Sequence, residues 1–99
     1  MLYYTQIIFL KEGMENSFNL FEEKVIPLLG KHNGKLLYRI RPNKDSIIEG
    51  IDKPYEIHIL EFQTKSDFES YANDKERLKH LNLKDQSVEK IQLIEGKLI

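Results

Sequence analysis

Hydrophobic and polar residues alternate with a period of two in four stretches of this chain and with a period near 3.6 in two others, a pattern that predicts its elements. Leu2 to Leu10 separates into Tyr3, Thr5, Ile7 and Phe9 on one side and Leu2, Tyr4, Gln6, Ile8 and Leu10 on the other, so a first strand is expected there. Lys11-Glu12-Gly13 breaks the alternation. Met14, Phe18, Phe21, Val25 and Leu28 then fall on one helical stripe. Pro27 lies inside that stripe, where it removes a backbone donor and crowds the preceding turn, which predicts a kink or break near Lys24 to Ile26. Asn33-Gly34 is expected to end the segment, with Gly34 supplying the left-handed conformation of a helix C-terminus.

Lys35 to Arg41 alternates again, with Leu36, Tyr38 and Ile40 opposed to Leu37, Arg39 and Arg41. Pro42 to Lys53 has no sustained period and reads as a long connector, with room for a lid or for a strand edge at Ser46 to Glu49. Tyr55 to Phe62 is the third strand. Its odd positions, Tyr55, Ile57 and Ile59, are apolar, while its even positions mix Glu56 and His58 with Leu60 and Phe62. Ser66-Asp67-Phe68-Glu69 has the form of a capping box, placing a second helix there with Phe68, Tyr71 and Ala72 inward. Asn73-Asp74-Lys75-Glu76 resembles a second N-cap and predicts a restart carrying Leu78 and Leu81, hence two helical pieces. Val88 to Ile94 is the fourth strand, with Ile91 and Leu93 opposed to Lys90 and Gln92.

Strand, helix, strand, strand, helix, strand is the order of the α+β ferredoxin-like βαββαβ sandwich: one four-stranded antiparallel sheet with both helices on one face, since right-handed crossovers put them there. The more apolar sets are assigned to the helix-covered face: Ile7, Phe9, Leu36 to Ile40, Ile57, Ile59, Ile91 and Leu93. The open face then carries Tyr4, Gln6, Ile8, Leu37, Arg39, Arg41, Glu56, His58, Leu60, Phe62, Lys90 and Gln92. Four of these are large apolar residues, and so large a patch marks an interface or a ligand site.

Length and charge narrow the options. At 99 residues the chain suffices for one domain over residues 1–99 with one modest core. No stretch is apolar enough for a bilayer span, and the start lacks the basic region and cleavage site of a signal peptide, so a cytoplasmic location and no membrane partner are expected. Cysteine is absent, which removes disulfides, thiolate nucleophiles and cysteine metal sites. Fifteen Lys and Arg against sixteen Asp and Glu leave a net charge of −1, and so no broad field to attract nucleic acid. An RNA-recognition domain shares the element order, but its third strand needs aromatic platforms where this chain has Glu56 and His58.

Val25-Ile26-Pro27-Leu28, His32-Asn33-Gly34-Lys35, Asp74-Lys75-Glu76-Arg77 and Leu93-Ile94-Glu95-Gly96 are together similar to the DUF1330-like proteins of the dimeric α/β barrel superfamily. That resemblance spans nearly the whole chain. It implies a homodimer in which two sheets pack face to face across a two-fold axis, often with a pocket between them. It also implies a choice among cofactor-independent oxygenases, haem-degrading enzymes, isomerases and members without a known reaction. The absence of Trp removes the Asn-His-Trp haem-degrading constellation, and Gly34-Lys35 stands where DUF1330-like chains often have Gly-Gly.

Within the mixed face, His58 is the candidate base, since an imidazole exchanges protons near neutral pH. A lone strand histidine is otherwise a structural residue. Arg39 and Arg41 could grip a carboxylate or enolate through paired donors, with Arg39 as the catalytic stabiliser of an anion; the alternative is ion pairing to Glu56 or to a partner subunit. Tyr4, Gln6, Arg41 and Glu56 are the candidate ligand-binding residues, with packing at an interface as the plain alternative for Tyr4 and Gln6. Glu56 and His58 are only ~7 Å apart along a strand, so no metal and no cofactor is expected. Asp74, Glu76 and Arg77 are assigned to capping and tethering the second helix. These features predict a homodimer binding a small anionic or aromatic molecule on the sheet face. The alternative is a structural or regulatory dimerisation module.

Overall fold

The alternating segments become strands close to their expected limits in a computed structural model that describes Met1–Ile99. They are β1 Leu2–Leu10, β2 Gly34–Ile40, β3 Glu56–Phe62 and β4 Val88–Gly96. All pairings are antiparallel and the sheet order is β2-β3-β1-β4, which puts β1 and β3 at the centre. The helical segments α1 Glu15–Val25, α2 Lys65–Ala72, α3 Lys75–Leu78 and α4 Leu81–Ser87 cover one face. This is the expected small α+β ferredoxin-like fold. No helix is long and apolar enough to cross a membrane.

Pro27 acts as its chemistry demands. The α-helix stops at Val25, and a 3-10 segment, Ile26–His32, carries the proline in its first turn, where a missing N–H costs little. Asn33, not Gly34, takes the left-handed conformation at its end, with φ 56°. Gly34 has a different reason to be glycine. It already belongs to β2, and a Cβ there would lie 2.5 Å from Cε1 of Phe62. The N-cap of α2 is Thr64 and not Ser66, because the Thr64 hydroxyl accepts from the N–H of Asp67. Asp74 does cap a restart, accepting from the N–H groups of Glu76 and Arg77, but a further break after Leu78 makes three pieces where two were expected. The connector forms a 3-10 turn at Lys44–Ser46 and no strand edge.

The assignment of faces is corrected for the two central strands. Tyr4 and Ile8 of β1 and Glu56, His58, Leu60 and Phe62 of β3 are buried against the helices, whereas Ile7, Ile57 and Ile59 point to the open side. The larger apolar side chains decide this. Tyr4, Leu60 and Phe62 build the core with Leu28, Leu29 and Tyr71, and Phe68 stacks on Tyr4 with ring centroids 4.1 Å apart. The polar members of that face are tolerated because each finds a charged partner, as described below. In β4, Ile91 faces Ile8 across the ladder and lies on the helix side as expected, with Lys90 and Gln92 on the other.

Strand β2 belongs to neither expected set. Leu36 is paired with Leu60 and packs on the core, but a β-bulge between Leu36 and Tyr38 shifts the register, so Tyr38 and Ile40 turn to the open face. The same bulge sends Arg39 and Arg41 to the helix side. The open face therefore carries Tyr3, Ile7, Tyr38, Ile40, Ile57, Ile59 and Ile94, of which Tyr38, Ile40 and Ile94 are exposed.

Candidate functional site

The residues with chemistry converge between the sheet and the helices. His58 and Glu56 stand one alternation apart on β3, Arg39 and Arg41 lie on β2, and Glu22 comes down from α1. All polar atoms of Glu56 are out of water, with 0% of the residue exposed, and such a carboxylate needs partners. It has three. Arg39 Nε donates to Oε2 at 2.9 Å, Arg41 Nε donates to Oε1 at 2.7 Å, and His58 Nε2 is bonded to Oε2. Burial alone would raise the Glu56 pKa, but the hydrogen bonds from His58, Arg39 and Arg41 outweigh it and hold the group at about 2.

An ionised Glu56 can only accept, so His58 Nε2 must be the donor in that bond. This fixes the ring. In the neutral imidazole the proton-accepting nitrogen is then Nδ1, which faces Glu22 Oε2 at 4.0 Å, beyond hydrogen-bond range. Glu22 is buried among Phe18, Phe21 and Val25, and desolvation raises its pKa, opposed by the charges of His58, Arg39 and Arg77. Two carboxylates on either side of one imidazole are thus driven in opposite directions, the arrangement by which proteins separate proton donors from acceptors.

His58 and Glu22 line a cavity of about 30 Å³ together with Gln6, Arg77, Lys84 and apolar residues that include Ile8, Leu60, Tyr71 and Ile91. A shallower groove of about 270 Å³ adjoins it and shares Gln6, Tyr71, Arg77, Lys84 and Ile91 while adding Phe68, Ala72 and Leu93. No residue of the 42–53 connector lines either one, so that loop is not placed as a lid here.

The expected site residues are distributed as follows. His58 and Gln6 line the cavity. Glu56 lies behind His58, and Arg39 and Arg41 hold Glu56, which is the ion-pair alternative for both. Arg41 also donates to Asn19 Oδ1 at 2.7 Å. Tyr4 is buried in the aromatic core and donates to Glu95 Oε1 at 2.7 Å; burial first, and Glu95 second, push its pKa up to about 12. None of these residues meets on the open face. Glu22, Arg77 and Lys84 were not expected in the cavity. Glu22 had a legible signal, since 18, 22 and 25 follow the i, i+4, i+7 spacing and set a carboxylate within the inward stripe.

Glu22, Glu56 and His58 offer ligand atoms within 4.8 Å of one another, a spacing that a metal could use. The charges disfavour it. Both Glu56 oxygens are engaged by guanidinium groups, so a cation would displace them and sit against two positive charges. The cluster is better suited to holding and moving a proton.

No family model matches the chain, and no curated protein matches it in sequence. Solved structures do. RPA0582, a protein of unknown function from Rhodopseudomonas palustris, is similar with a TM-score of 0.84 at 13% identity, covering 99% of this chain and 82% of its own. A dimeric protein of unknown function with a ferredoxin-like fold from Bacteroides fragilis has a TM-score of 0.73 at 13% identity, covering 98% and 95%. A dabb family protein with a ferredoxin-like fold from Mesorhizobium loti has a TM-score of 0.70 at 14% identity, covering 99% and 96%. At such identities the likeness is one of fold, and the fold is ferredoxin-like.

Proposed function

We propose that this chain is a cytoplasmic homodimer of the DUF1330-like, dimeric α/β barrel kind, one domain over residues 1–99, that binds a small anionic or aromatic molecule between its sheet and helices. The observation that carries this reading is the imidazole of His58, fixed by an ionised Glu56 and facing both the cavity and Glu22. If the protein is catalytic, the chemistry is proton transfer of an isomerase type or cofactor-independent oxygenation, in which dioxygen is the oxidant of an activated, deprotonated substrate. His58 is then the base, and Glu22 holds or returns the proton. Arg39 and Arg41 act through Glu56 as positioning residues, and Gln6 supplies an amide for orientation.

The homodimer is supported by the apolar open face and by the dimeric state of the Bacteroides fragilis neighbour. Facing sheets would leave both helix-side cavities intact, one in each subunit. This differs from a pocket on the shared face.

One observation favours a non-enzymatic dimerisation module. Both Glu56 oxygens are saturated by protein donors, so the polar cluster also serves as a buried cross-link between β2 and β3. Native mass spectrometry of the purified protein separates the two readings. A dimer that retains a small molecule, with retention lost in a folded, dimeric His58→Gln variant, supports the binding reading. A dimer with no retained mass, whose His58 ring resonances ignore added small acids, supports the module.

A further inference from the structure

Arg77 and Lys84 line both the cavity and the adjoining groove, so they stand at the boundary between the two. Both are partly buried, and neither forms an ion pair. Arg77 is held by its surroundings: Nη1 donates to the Ala72 carbonyl at 3.2 Å, and the guanidinium lies 5.1 Å over the Tyr71 ring and 5.8 Å over Phe21. Its Nε is out of water with no hydrogen-bond partner, the only buried side-chain atom left so. Burial lowers the Lys84 pKa and the charge of Arg77 lowers it further, opposed in part by the charges of Asp85 and Glu22.

Two neighbouring cations repel each other in a partly desolvated place where no carboxylate touches either and Glu22, across the cavity, offsets them only from a distance; a buried N–H without an acceptor is costly as well. One bound anion relieves both. We propose that Arg77 and Lys84 form a carboxylate-binding pair, and that the ligand is a small carboxylic acid with an apolar body. This rests on the reading of the cavity and groove as a ligand site.

The geometry of the guanidinium selects the class. With Nη1 committed to Ala72, the edge left for a planar carboxylate is that of Nε and Nη2, a side-on fork for two parallel hydrogen bonds, and since Nε is out of water the ligand oxygen that reaches it displaces the side chains covering it. The groove selects the body. Phe68, Leu93 and Ile91 present an apolar wall, and the groove of about 270 Å³ admits a ring or short chain, whereas the inner cavity of about 30 Å³ has room for little more than a water or a projecting atom. The acid group then sits at the boundary with its body outward.

Benzoate is a suitable probe, with benzamide as the neutral isostere and inorganic phosphate as the rival anion. Calorimetric titration of the dimer should show benzoate binding at least about 10-fold tighter than benzamide, the usual worth of a charge-assisted pair, and tighter than phosphate. Arg77→Gln and Lys84→Gln should each weaken benzoate about 10-fold or more. Arg77→Lys, which keeps charge and bulk over Tyr71 but lacks the fork, guards against a variant that misfolds and should also lose most of the affinity. Benzoate and benzamide binding alike, or all three variants binding benzoate as the wild type does, overturns the pair. Phosphate binding as well as benzoate overturns the carboxylic acid class. The His58 ring resonances are read in the same titrations. If they shift while the variants have no effect, the site stands without the pair; if no probe moves them, the ligand-site reading fails as well.

Discussion

His58 Nδ1 faces Glu22 Oε2 across 4.0 Å, while the opposite nitrogen of the same ring is bonded to Glu56. The imidazole therefore separates a carboxyl that burial pushes up from a carboxylate that hydrogen bonds hold down. The two acids carry opposite signs in the pH dependence of stability.

Glu22 has a folded pKa above its ordinary 4.5, chiefly through desolvation. Between the two values the native state holds a proton that the unfolded chain has released, so stability falls as pH rises through that window. Glu22→Gln removes the titration. The variant is expected to melt higher than the wild type near pH 8, by about 4–8 °C for each kcal/mol recovered, and to converge with it near pH 4. A melting difference that is the same at both pH values would remove desolvation of Glu22 as its cause.

Glu56 behaves in the reverse sense. With a folded value of about 2 against an ordinary 4.5, its contribution is fully present above pH 4.5 and is lost as pH falls towards 2. Glu56→Gln leaves Arg39, Arg41 and His58 facing a neutral amide, and because both arginines are partly exposed and water can take up their charge, a loss of about 1–3 kcal/mol is expected at neutral pH. Urea unfolding measures it. The variant should also lack the part of the wild-type acid sensitivity that lies between these two pH values. A loss under about 0.5 kcal/mol, the ordinary scatter of surface substitutions, would mean that the cluster is not holding β2 to β3.

These charges also explain which parts of the molecule were legible in its sequence. Strand and helix positions followed from periods of 2 and 3.6, and Pro27 and Asp74 broke the helices where backbone chemistry requires. The faces of β1 and β3 did not follow, because both faces of each strand carry large apolar residues, and Glu56 and His58 made the inward face look like the wet one. Only partners distant in sequence reverse that reading: Arg39 and Arg41, 17 and 15 residues from Glu56, and Glu22 on α1. The bulge after Leu36 that delivers the two arginines has no local signal at all. The side chains that meet around the cavity were thus legible one by one for His58, Glu56 and Gln6, and their meeting place between sheet and helices was not.

Gly34 tests how tightly that inner face is packed. Its absent Cβ would fall 2.5 Å from Phe62 Cε1 and 3.1 Å from the Leu29 carbonyl, and Phe62 is wholly buried. Phe62 has no free volume to move into without disturbing Tyr4 and Phe68, whose rings lie within 6 Å of it. Gly34→Ala is expected to cost about 1–3 kcal/mol, the range for overpacking a filled core, read as a lower urea midpoint at unchanged slope. A neutral substitution would show that β2 can shift away from β3 at its first pair, Gly34 with Phe62.

The open face provides the last test, because it bears on the proposed homodimer without touching the core. Ile59 sits near its centre, paired with Thr5 on one side and with Tyr38 beyond the bulge on the other. A specific dimer needs about 800 Å² from each partner, and the row of Tyr3, Ile7, Ile57, Ile59, Tyr38, Ile40 and Ile94 is the extended apolar surface on that side of the sheet. Ile59→Glu would bury an unpaired carboxylate in such an interface, a cost of several kcal/mol counted twice across a two-fold axis. The helix side does not contact this position, so the monomer should keep its secondary structure. Light scattering at micromolar concentration should therefore give a dimer for the wild type and a monomer for Ile59→Glu, with matching circular dichroism. A monomeric wild type would overturn the homodimer, and a variant that still dimerises would place the interface elsewhere than on this face of the sheet.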